Sequence, residues 1–408
     1  MRILMSGGGT GGHVYPAVAI ANEMKNRYPN AEILFVGTSN GIESEIVPKS
    51  GYEIKTITVQ GFKRKIDFEN VKRGVKLVKG LNEARKIVKD FNPDVVVGTG
   101  GYVSGPVLFC ASSGDAVTIV HEQNSFPGVT NKILSKKVSK IITCFEDAKS
   151  RFPEKAQENV VLIGNPVREE LLKVSKEDAR NKINVPLDKK MVLIYGGSGG
   201  FKKINDAMVE VVKNMVANDI AFVYATGKRF YESFINEVSN IELKPYQRIV
   251  PYLDDMANVL SASDIVIGSA GATSLSEITA LGKASIIIPK AYTAENHQEY
   301  NAKSIEKQGA GVAILEKNLT PESLNEAVTK LLGNKEELLE MANRSKEIGK
   351  PEAIDLIYNE IIKIYEANNT KKASNTKKDK KVIEENNVVS DIKEDTQNQG
   401  KVIGIKKK

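Results

Sequence analysis

Cysteine is scarce in this chain. Only Cys110 and Cys144 occur in 408 residues, both in apolar stretches, so no disulfide framework is present and both thiols read as small core residues of a reducing compartment. Long apolar runs are also missing. No stretch approaches the roughly 18 consecutive apolar residues that a membrane-spanning helix needs, which excludes such a helix. Histidine is limited to His13, His121 and His297, without the close spacing of a metal-ligand set, and no Asp-x-Asp pair occurs. A dedicated divalent-metal site is therefore not expected. Aromatic residues are not interleaved with basic ones along any one face, so nucleic-acid binding has no support. The net charge of +7 overstates the basicity of the body, because residues 366–408 alone hold 11 Lys against 7 acidic residues. Beyond Ala367 the chain turns to Asn, Thr, Lys, Asp and Glu with few apolar residues. Such a segment cannot bury enough surface to offset its chain entropy, and 367–408 is expected to be a disordered charged tail.

Glycine, by contrast, is concentrated. Residues 1–24 read as a short apolar strand, a turn dense in glycine (Gly7–Gly12), then His13 and a helical pattern over Pro16–Lys25. Without a Cβ such a turn reaches φ > 0 and can lay several N–H groups against an anion, with the helix N-terminus aimed at the same spot. The turn matches G-x-G-x-x-G, but the second strand, Glu32–Val36, ends in Gly37-Thr38 and offers no carboxylate for a dinucleotide ribose. It also spaces glycines like a P-loop, yet His13-Val14 stands where Lys-Ser/Thr would grip phosphate and magnesium. An anion site and a tight structural turn both remain open on the glycines alone. The motif recurs nearly two hundred residues later, as Val192–Tyr195, then Gly196–Gly200, then a helical run from Lys202.

Apolar runs alternate with helical patterns throughout. Runs at Glu32–Val36, Ile54–Val59, Val95–Val97, Val117–Val120, Ile141–Cys144 and Val160–Ile163 belong to a first half. Met191–Tyr195, Ile220–Ala225, Ile265–Gly268, Ala284–Ile288 and Val312–Leu315 belong to a second. This is the signature of α/β architecture with doubly wound parallel sheets. The polar stretch from Lys173 to Lys190 reads as the linker between them, and helical patterns over Glu322–Leu332 and Ala353–Tyr365 close the body.

Further polar motifs fall where such sheets place ligand groups. His121-Glu-Gln-Asn124 directly follows a strand, and His297 opens a dense polar segment after the strand ending at Pro289. Gly98–Pro106 is another glycine turn between strand and helix, and Ser269–Glu277 opens a helix with small residues, suited to a diphosphate. Glu277 follows Thr273 at i+4 and is placed to accept from vicinal hydroxyls such as those of a ribose. His13 is the candidate general base, since histidine has a neutral imidazole near pH 7, and Glu122 is the fallback.

Seven motifs, Gly7–His13, Gly98–Pro106, His121–Asn124, Asn165–Arg168, Gly196–Gly200, Ser269–Glu277 and His297–Ala302, occur in an order that resembles the bacterial N-acetylglucosaminyltransferases that complete the peptidoglycan precursor lipid II. The resemblance runs from about Arg2 to Tyr365. It implies a GT-B fold, two Rossmann-like domains with a cleft between them. The implied limits are 1–168 for an acceptor- and membrane-facing domain, 169–190 for the linker, 191–350 for the UDP-sugar domain, and 351–366 for a helix packing back on the first domain. It further implies metal-independent, inverting transfer of N-acetylglucosamine from UDP-N-acetylglucosamine to the 4-hydroxyl of lipid I, with no cofactor. By that likeness Glu277 binds ribose, and Ala270, Gly271, Ala272, Thr273, Ser274 and Ser198 bind the diphosphate. Leu253 holds uracil through its backbone, Gln298 the sugar hydroxyls, and Asn124 and Arg168 reach the donor from the first half and the hinge. Thr10, Gly11 and Gly12 with Gly100, Gly101 and Tyr102 lie against the sugar and the acceptor diphosphate. A relative of the UDP-N-acetylglucosamine 2-epimerases or a diacylglycerol glycosyltransferase would share the donor pocket. One departure is that Gly199-Gly200-Phe201 stands where the family usually has Gln-Gly-Ala, so that glutamine contact is absent.

The segment Phe62–Lys89 combines Lys63, Arg64, Lys65, Lys72, Arg73, Lys76 and Lys79 with interspersed Ile, Phe, Val and Leu. It is expected to hold the protein peripherally on the anionic cytoplasmic face of the bacterial membrane, with cell-wall synthesis proteins as further partners.

Overall fold

The computed structural model describes residues 1–61, 68–197 and 199–374. Ser198, the basic run 63–65 and the tail from 375 lie outside the described residues. Met1–Tyr358 forms one compact unit, and residues from Asn359 onward form a second.

The first half of the larger unit is built on β1 (Arg2–Gly7), β2 (Glu32–Gly37), β3 (Glu53–Thr56), β4 (Val95–Gly100), β5 (Val117–Glu122), β6 (Lys140–Thr143) and β7 (Val160–Leu162). Between them run α1 (Gly11–Arg27), α2 (Glu43–Lys49), α3 (Phe68–Phe91), α4 (Ser104–Ala111) and α5 (Val129–Leu134). The strands pair in parallel in the order β3-β2-β1-β4-β5-β6-β7. Short α6 (Glu169–Leu172) and α7 (Lys176–Lys182) lead to the second half. There the strands are β8 (Met191–Tyr195), β9 (Ala221–Ala225), β10 (Gln247–Val250), β11 (Ile265–Gly268), β12 (Ala284–Ile287) and β13 (Val312–Ala313). Their helices are α8 (Lys202–Ala217), α9 (Tyr231–Glu237), α10 (Met256–Ala262), α11 (Ala272–Ala280), α12 (His297–Lys307), α13 (Pro321–Gly333) and α14 (Lys335–Ile348). The second sheet is also parallel, in the order β10-β9-β8-β11-β12-β13.

The Val- and Ile-rich strands follow from this layout. Helices cover both faces of a parallel sheet, so its central strands read as continuous apolar runs rather than alternating ones. β4, β5, β8 and β9 are buried at every residue. In each sheet the strand order reverses between β1 and β4 or between β8 and β11, and ligands of such sheets bind outside the carboxyl ends at that switch point. The three glycine turns and the small-residue turn leave these four strands. Gly7–Gly12 follows β1, Gly98–Pro106 spans the end of β4, Gly196–Gly200 follows β8, and Ser269–Glu277 follows β11.

Three sequence expectations need revision. The 169–190 stretch is packed: Leu171, Ala179, Ile183 and Val185 enter the core beneath β8, and buried Arg180 donates to the carbonyls of Ala262, Leu187 and Lys189 and pairs with Asp264. Its polarity comes from the outward faces of two short helices. Residues 367–374, expected as disordered, instead continue the helix that begins at residue 353, while the tail beyond them lies outside the described residues. The helix outruns the apolar spacing that ends at Tyr365, because beyond it the apolar face fades and only helix propensity remains. β10 leaves no apolar run in the sequence, because it is an edge strand with alternating burial.

The chain finally returns to the first half. Gly164, at φ +115, lies so close to the returning segment that a Cβ there would stand 2.8 Å from the Lys350 Cβ. Arg27 on α1 pairs with Asp355 and stacks 4.7 Å over the Tyr358 ring.

Candidate active site

The two glycine turns of the first half interlock. A Cβ on Gly7 would lie 2.0 Å from the Thr99 hydroxyl, and one on Gly101 (φ +80) 2.4 Å from the Gly8 carbonyl, so neither position admits a side chain. The Thr99 hydroxyl in turn donates to the His13 carbonyl at 2.7 Å. The anion this turn grips first is the protein's own. The buried Glu43 carboxylate accepts from the Gly9 N–H (3.0 Å), the Thr38 N–H (3.0 Å) and the Thr38 hydroxyl (2.7 Å). Burial pushes the Glu43 carboxyl up, but the Thr38 hydroxyl and those backbone donors outweigh it and hold the group below its ordinary value. Of the two readings left open for the glycines, the tight structural turn holds for Gly7–Gly9, closed by Thr99 and Glu43. What remains open is the N-terminus of α1, where Thr10 supplies no side-chain cap and Gly11, Gly12 and His13 form the first turn.

His13 stands directly over Gly100, where a Cβ would lie 2.7 Å from its Nδ1. Behind it runs a hydrogen-bonded chain whose directions chemistry dictates. His121 Nε2 faces the Gly164 carbonyl at 3.0 Å, and a carbonyl only accepts, so this nitrogen carries the proton. His121 Nδ1 is then bare and accepts from the Gln123 amide nitrogen at 2.8 Å, which also donates to the His121 carbonyl at 2.9 Å. The Gln123 oxygen therefore faces His13 Nδ1, at 3.1 Å, and only accepts. His13 is held with its proton on Nδ1 and a free lone pair on Nε2. His121 sustains this because complete burial pushes its pKa down to about 4, against the opposing Gly164 hydrogen bond, and keeps it neutral. Neither Gln123 nor the structural role of His121 was singled out from the sequence, although both lie in the quoted His121–Asn124 motif.

Glu122, the fallback base, is occupied. Its carboxylate accepts from the N–H of Asn124 (2.9 Å) and of Gly128 (3.0 Å), and from the side chains of Asn131 (2.7 Å) and Asn124 (3.3 Å). It shapes the loop after β5, and these four donors occupy its acceptor positions. Leaving those donors buried and unpaired makes Glu122→Ala an expected loss of about 2–4 kcal/mol in urea unfolding. A variant as stable as the parent but inactive would restore Glu122 as the base.

Asn124 also reaches the second half, since its Oδ1 accepts from Asn301 Nδ2 at 3.1 Å. Asn301, fully buried on α12, further accepts from the Ser125 N–H at 2.8 Å and donates to the Ala270 carbonyl at 3.1 Å. One amide thus joins the loop after β5 to the turn after β11. Beside it Phe126 stacks on Tyr300 with ring centres 4.6 Å apart, and Arg151 lies 4.5 Å over the Tyr300 ring.

In the second half α11 begins at Ala272 with Gly271 as an N-cap that contributes no side chain, leaving its first N–H groups for a ligand. Glu277, buried about one and a half turns further on, receives two bonds from Arg168, from Nε at 2.7 Å and Nη2 at 3.2 Å. Burial raises the Glu277 carboxyl above its ordinary value despite the Arg168 guanidinium. A carboxylate has about four acceptor positions and the arginine takes two, so two remain for further donors. Gln298 accepts from the Lys290 N–H at 2.9 Å through Oε1, which turns its NH₂ outward as a donor. Leu253 is half-buried after β10. His297 is anchored by Nδ1 to the Ala294 carbonyl at 2.6 Å, and its burial, opposed by that bond, lowers its pKa. Among the described residues no cluster of three His, Cys, Asp or Glu side chains is arranged to hold a metal ion.

Two parallel-sheet halves with paired switch points, each with a helix N-terminus that carries no side-chain cap, define a GT-B fold. Residues 3–143 match the glycosyltransferase family 28 N-terminal domain and residues 191–357 its C-terminal domain, and the chain belongs to that family. It is 66% identical to the UDP-N-acetylglucosamine--N-acetylmuramyl-(pentapeptide) pyrophosphoryl-undecaprenol N-acetylglucosamine transferase of Clostridioides difficile, over 100% of both chains. That match includes the tail, for which the motif resemblance had shown no counterpart. The transferase of the same name from Alkaliphilus metalliredigens is 48% identical over 89% of this chain and 99% of its own. Among solved structures, Acinetobacter baumannii MurG superposes with a TM-score of 0.72 at 27% identity, covering 89% of this chain and 99% of that one.

Proposed function

We propose that the protein transfers N-acetylglucosamine from UDP-N-acetylglucosamine to the 4-hydroxyl of undecaprenyl-pyrophosphoryl-N-acetylmuramoyl-peptide, lipid I, giving lipid II. The observation that carries this reading is the 66% identity to the Clostridioides difficile transferase along the full length of both chains. The reaction inverts the anomeric centre and uses no metal. His13 Nε2 takes the acceptor proton as the oxygen attacks C1, the bond from C1 to the diphosphate oxygen breaks, and UDP departs with the electron pair. Charge growing on the diphosphate falls at the N-terminus of α11, over Ala270–Ser274, with Ser198 assigned to the same group. Glu277, oriented by Arg168, takes the ribose hydroxyls, the Leu253 backbone takes uracil, and Gln298 and Asn124 take the sugar. Thr10, Gly11 and Gly12 with Gly100, Gly101 and Tyr102 face the sugar and the acceptor. The division into 1–168, 169–190, 191–350 and 351–366 follows the same reading. Purified protein given UDP-[¹⁴C]N-acetylglucosamine and lipid I is expected to move label into lipid. Label released as a free or epimerised sugar nucleotide without lipid I would overturn it.

Attachment to the anionic cytoplasmic face of the membrane, as a peripheral protein near other cell-wall enzymes, is part of the proposal. Among the described residues no helix is long and apolar enough to cross a membrane. Its support is α3, where Val71, Val75 and Val78, at helical spacing, are 67%, 67% and 61% exposed. Lys72, Lys76 and Lys79 share that helix, while the basic run 63–65 falls outside the described residues. Each basic group near an anionic leaflet adds about 1 kcal/mol. The protein is expected to co-sediment with phosphatidylglycerol vesicles and to be released by salt. Equal binding after Lys63, Arg64, Lys65, Lys72 and Arg73 are changed to Ser, or after the three valines are, would contradict this.

A further inference from the structure

The second glycine turn has a cationic neighbour that none of the roles above uses. Lys290 follows β12 and is half-buried, with its ammonium donating to the Gly200 carbonyl at 3.1 Å and standing 5.1 Å from the centre of the Phe201 ring. A Cβ on Gly197, at φ +87, would stand 3.6 Å from the Ser269 hydroxyl and 3.9 Å from the Lys290 ammonium, so these two polar groups flank the turn. β8 and β11 are adjacent, with Tyr195 opposite Gly268, so the turns that follow them face a common space. The N-terminus of α8, capped only by Phe201 without a side-chain bond, and that of α11 both open there. An ammonium has three protons, of which Gly200 takes one. Its charge is partly desolvated, and the acidic group that acts on it is Glu316 on the neighbouring loop.

We propose that Lys290 binds the diphosphate of the sugar-nucleotide donor and stabilises it as the leaving group. A neutral amide or hydroxyl would suffice to brace the Gly200 carbonyl. A cation beside two helix N-termini and the Ser269 hydroxyl is instead matched to a ligand of two or more negative charges. The position also serves the reaction. Negative charge on the diphosphate oxygen rises as its bond to C1 breaks, so a fixed ammonium there favours the transition state over the bound donor. The inference rests on the donor reading above and adds a residue to it.

The test compares UDP and uridine binding to the full-length protein, by calorimetry and by NMR titration, in the parent, Lys290→Met and Lys290→Arg. Lys290→Met is expected to weaken UDP at least tenfold, leave uridine unchanged, and lower kcat for transfer as well as raising KM. Lys290→Arg restores most of the UDP affinity, and melting curves of all three coincide. Unchanged UDP affinity in Lys290→Met overturns the inference, as does a parallel loss of uridine and UDP, which would mark a brace of the turn. Should Lys290→Met not fold, Lys290→Gln takes its place in the same comparison. A parent protein that binds no UDP overturns the donor reading itself, and this inference with it.

Discussion

His13→Ala lowers the single-turnover rate of sugar transfer by about 10²–10⁴-fold, the range for loss of a general base, while UDP affinity stays at the parent value. The magnitude decides between two roles. A residue that merely hydrogen-bonds the acceptor contributes up to about 1.5 kcal/mol, at most near a tenfold change. The base role has a structural basis in the chain Gly164 carbonyl, His121, Gln123, His13, which leaves His13 Nε2 as an acceptor. One subsidiary result follows. Gln123→Met, which cannot accept from His13 Nδ1, frees the other tautomer and costs part of the same rate. Only a tenfold loss in His13→Ala would place the base elsewhere.

Glu277→Ala lowers kcat/KM for UDP-N-acetylglucosamine by two or more orders of magnitude with the fold intact. Two charge-assisted bonds to vicinal hydroxyls are each worth roughly 1.5–3 kcal/mol. The fold survives because Arg168, the partner left behind, is partly exposed and regains water. The pH dependence has a definite sign. Burial raises the Glu277 carboxyl, with Arg168 opposing and Glu170 adding to the rise, so the carboxylate is lost at a higher pH than for an ordinary glutamate. Donor affinity is full well above that range and falls as pH drops through it. Glu277→Gln, which keeps the shape and one acceptor oxygen, lies between and loses this dependence. Kinetics unchanged in Glu277→Ala would remove the ribose role.

Much of this was legible from spacing. Strands buried on both faces leave unbroken apolar runs, so β8 was read at its observed limits and most of the others within a residue or two. The glycine turns were legible because neither Gly7 nor Gly101 admits a side chain. What stayed hidden depends on side chains far apart in sequence. Glu43 carries no local signal, because its carboxylate fills a turn thirty-four positions earlier. Asn301 lay in a quoted motif without a role, because its partners are 176 and 31 positions away. Gln123 could be read as an orienting group only once the His121 proton was assigned from Gly164. The packing of 169–190 was masked by its outward polarity, since Arg180 is saturated by carbonyls that no local pattern reveals.

The central claim is an inverting transfer to lipid I assisted by one base, and the stereochemistry of the product tests it most directly. Purified protein is incubated with UDP-α-N-acetylglucosamine and lipid I, and the disaccharide released from the lipid is examined by proton NMR. The account predicts a β-linked N-acetylglucosamine on the 4-hydroxyl of the muramoyl residue. An α-linkage would require a second displacement or a different nucleophile, and it would contradict the single-displacement mechanism built on His13.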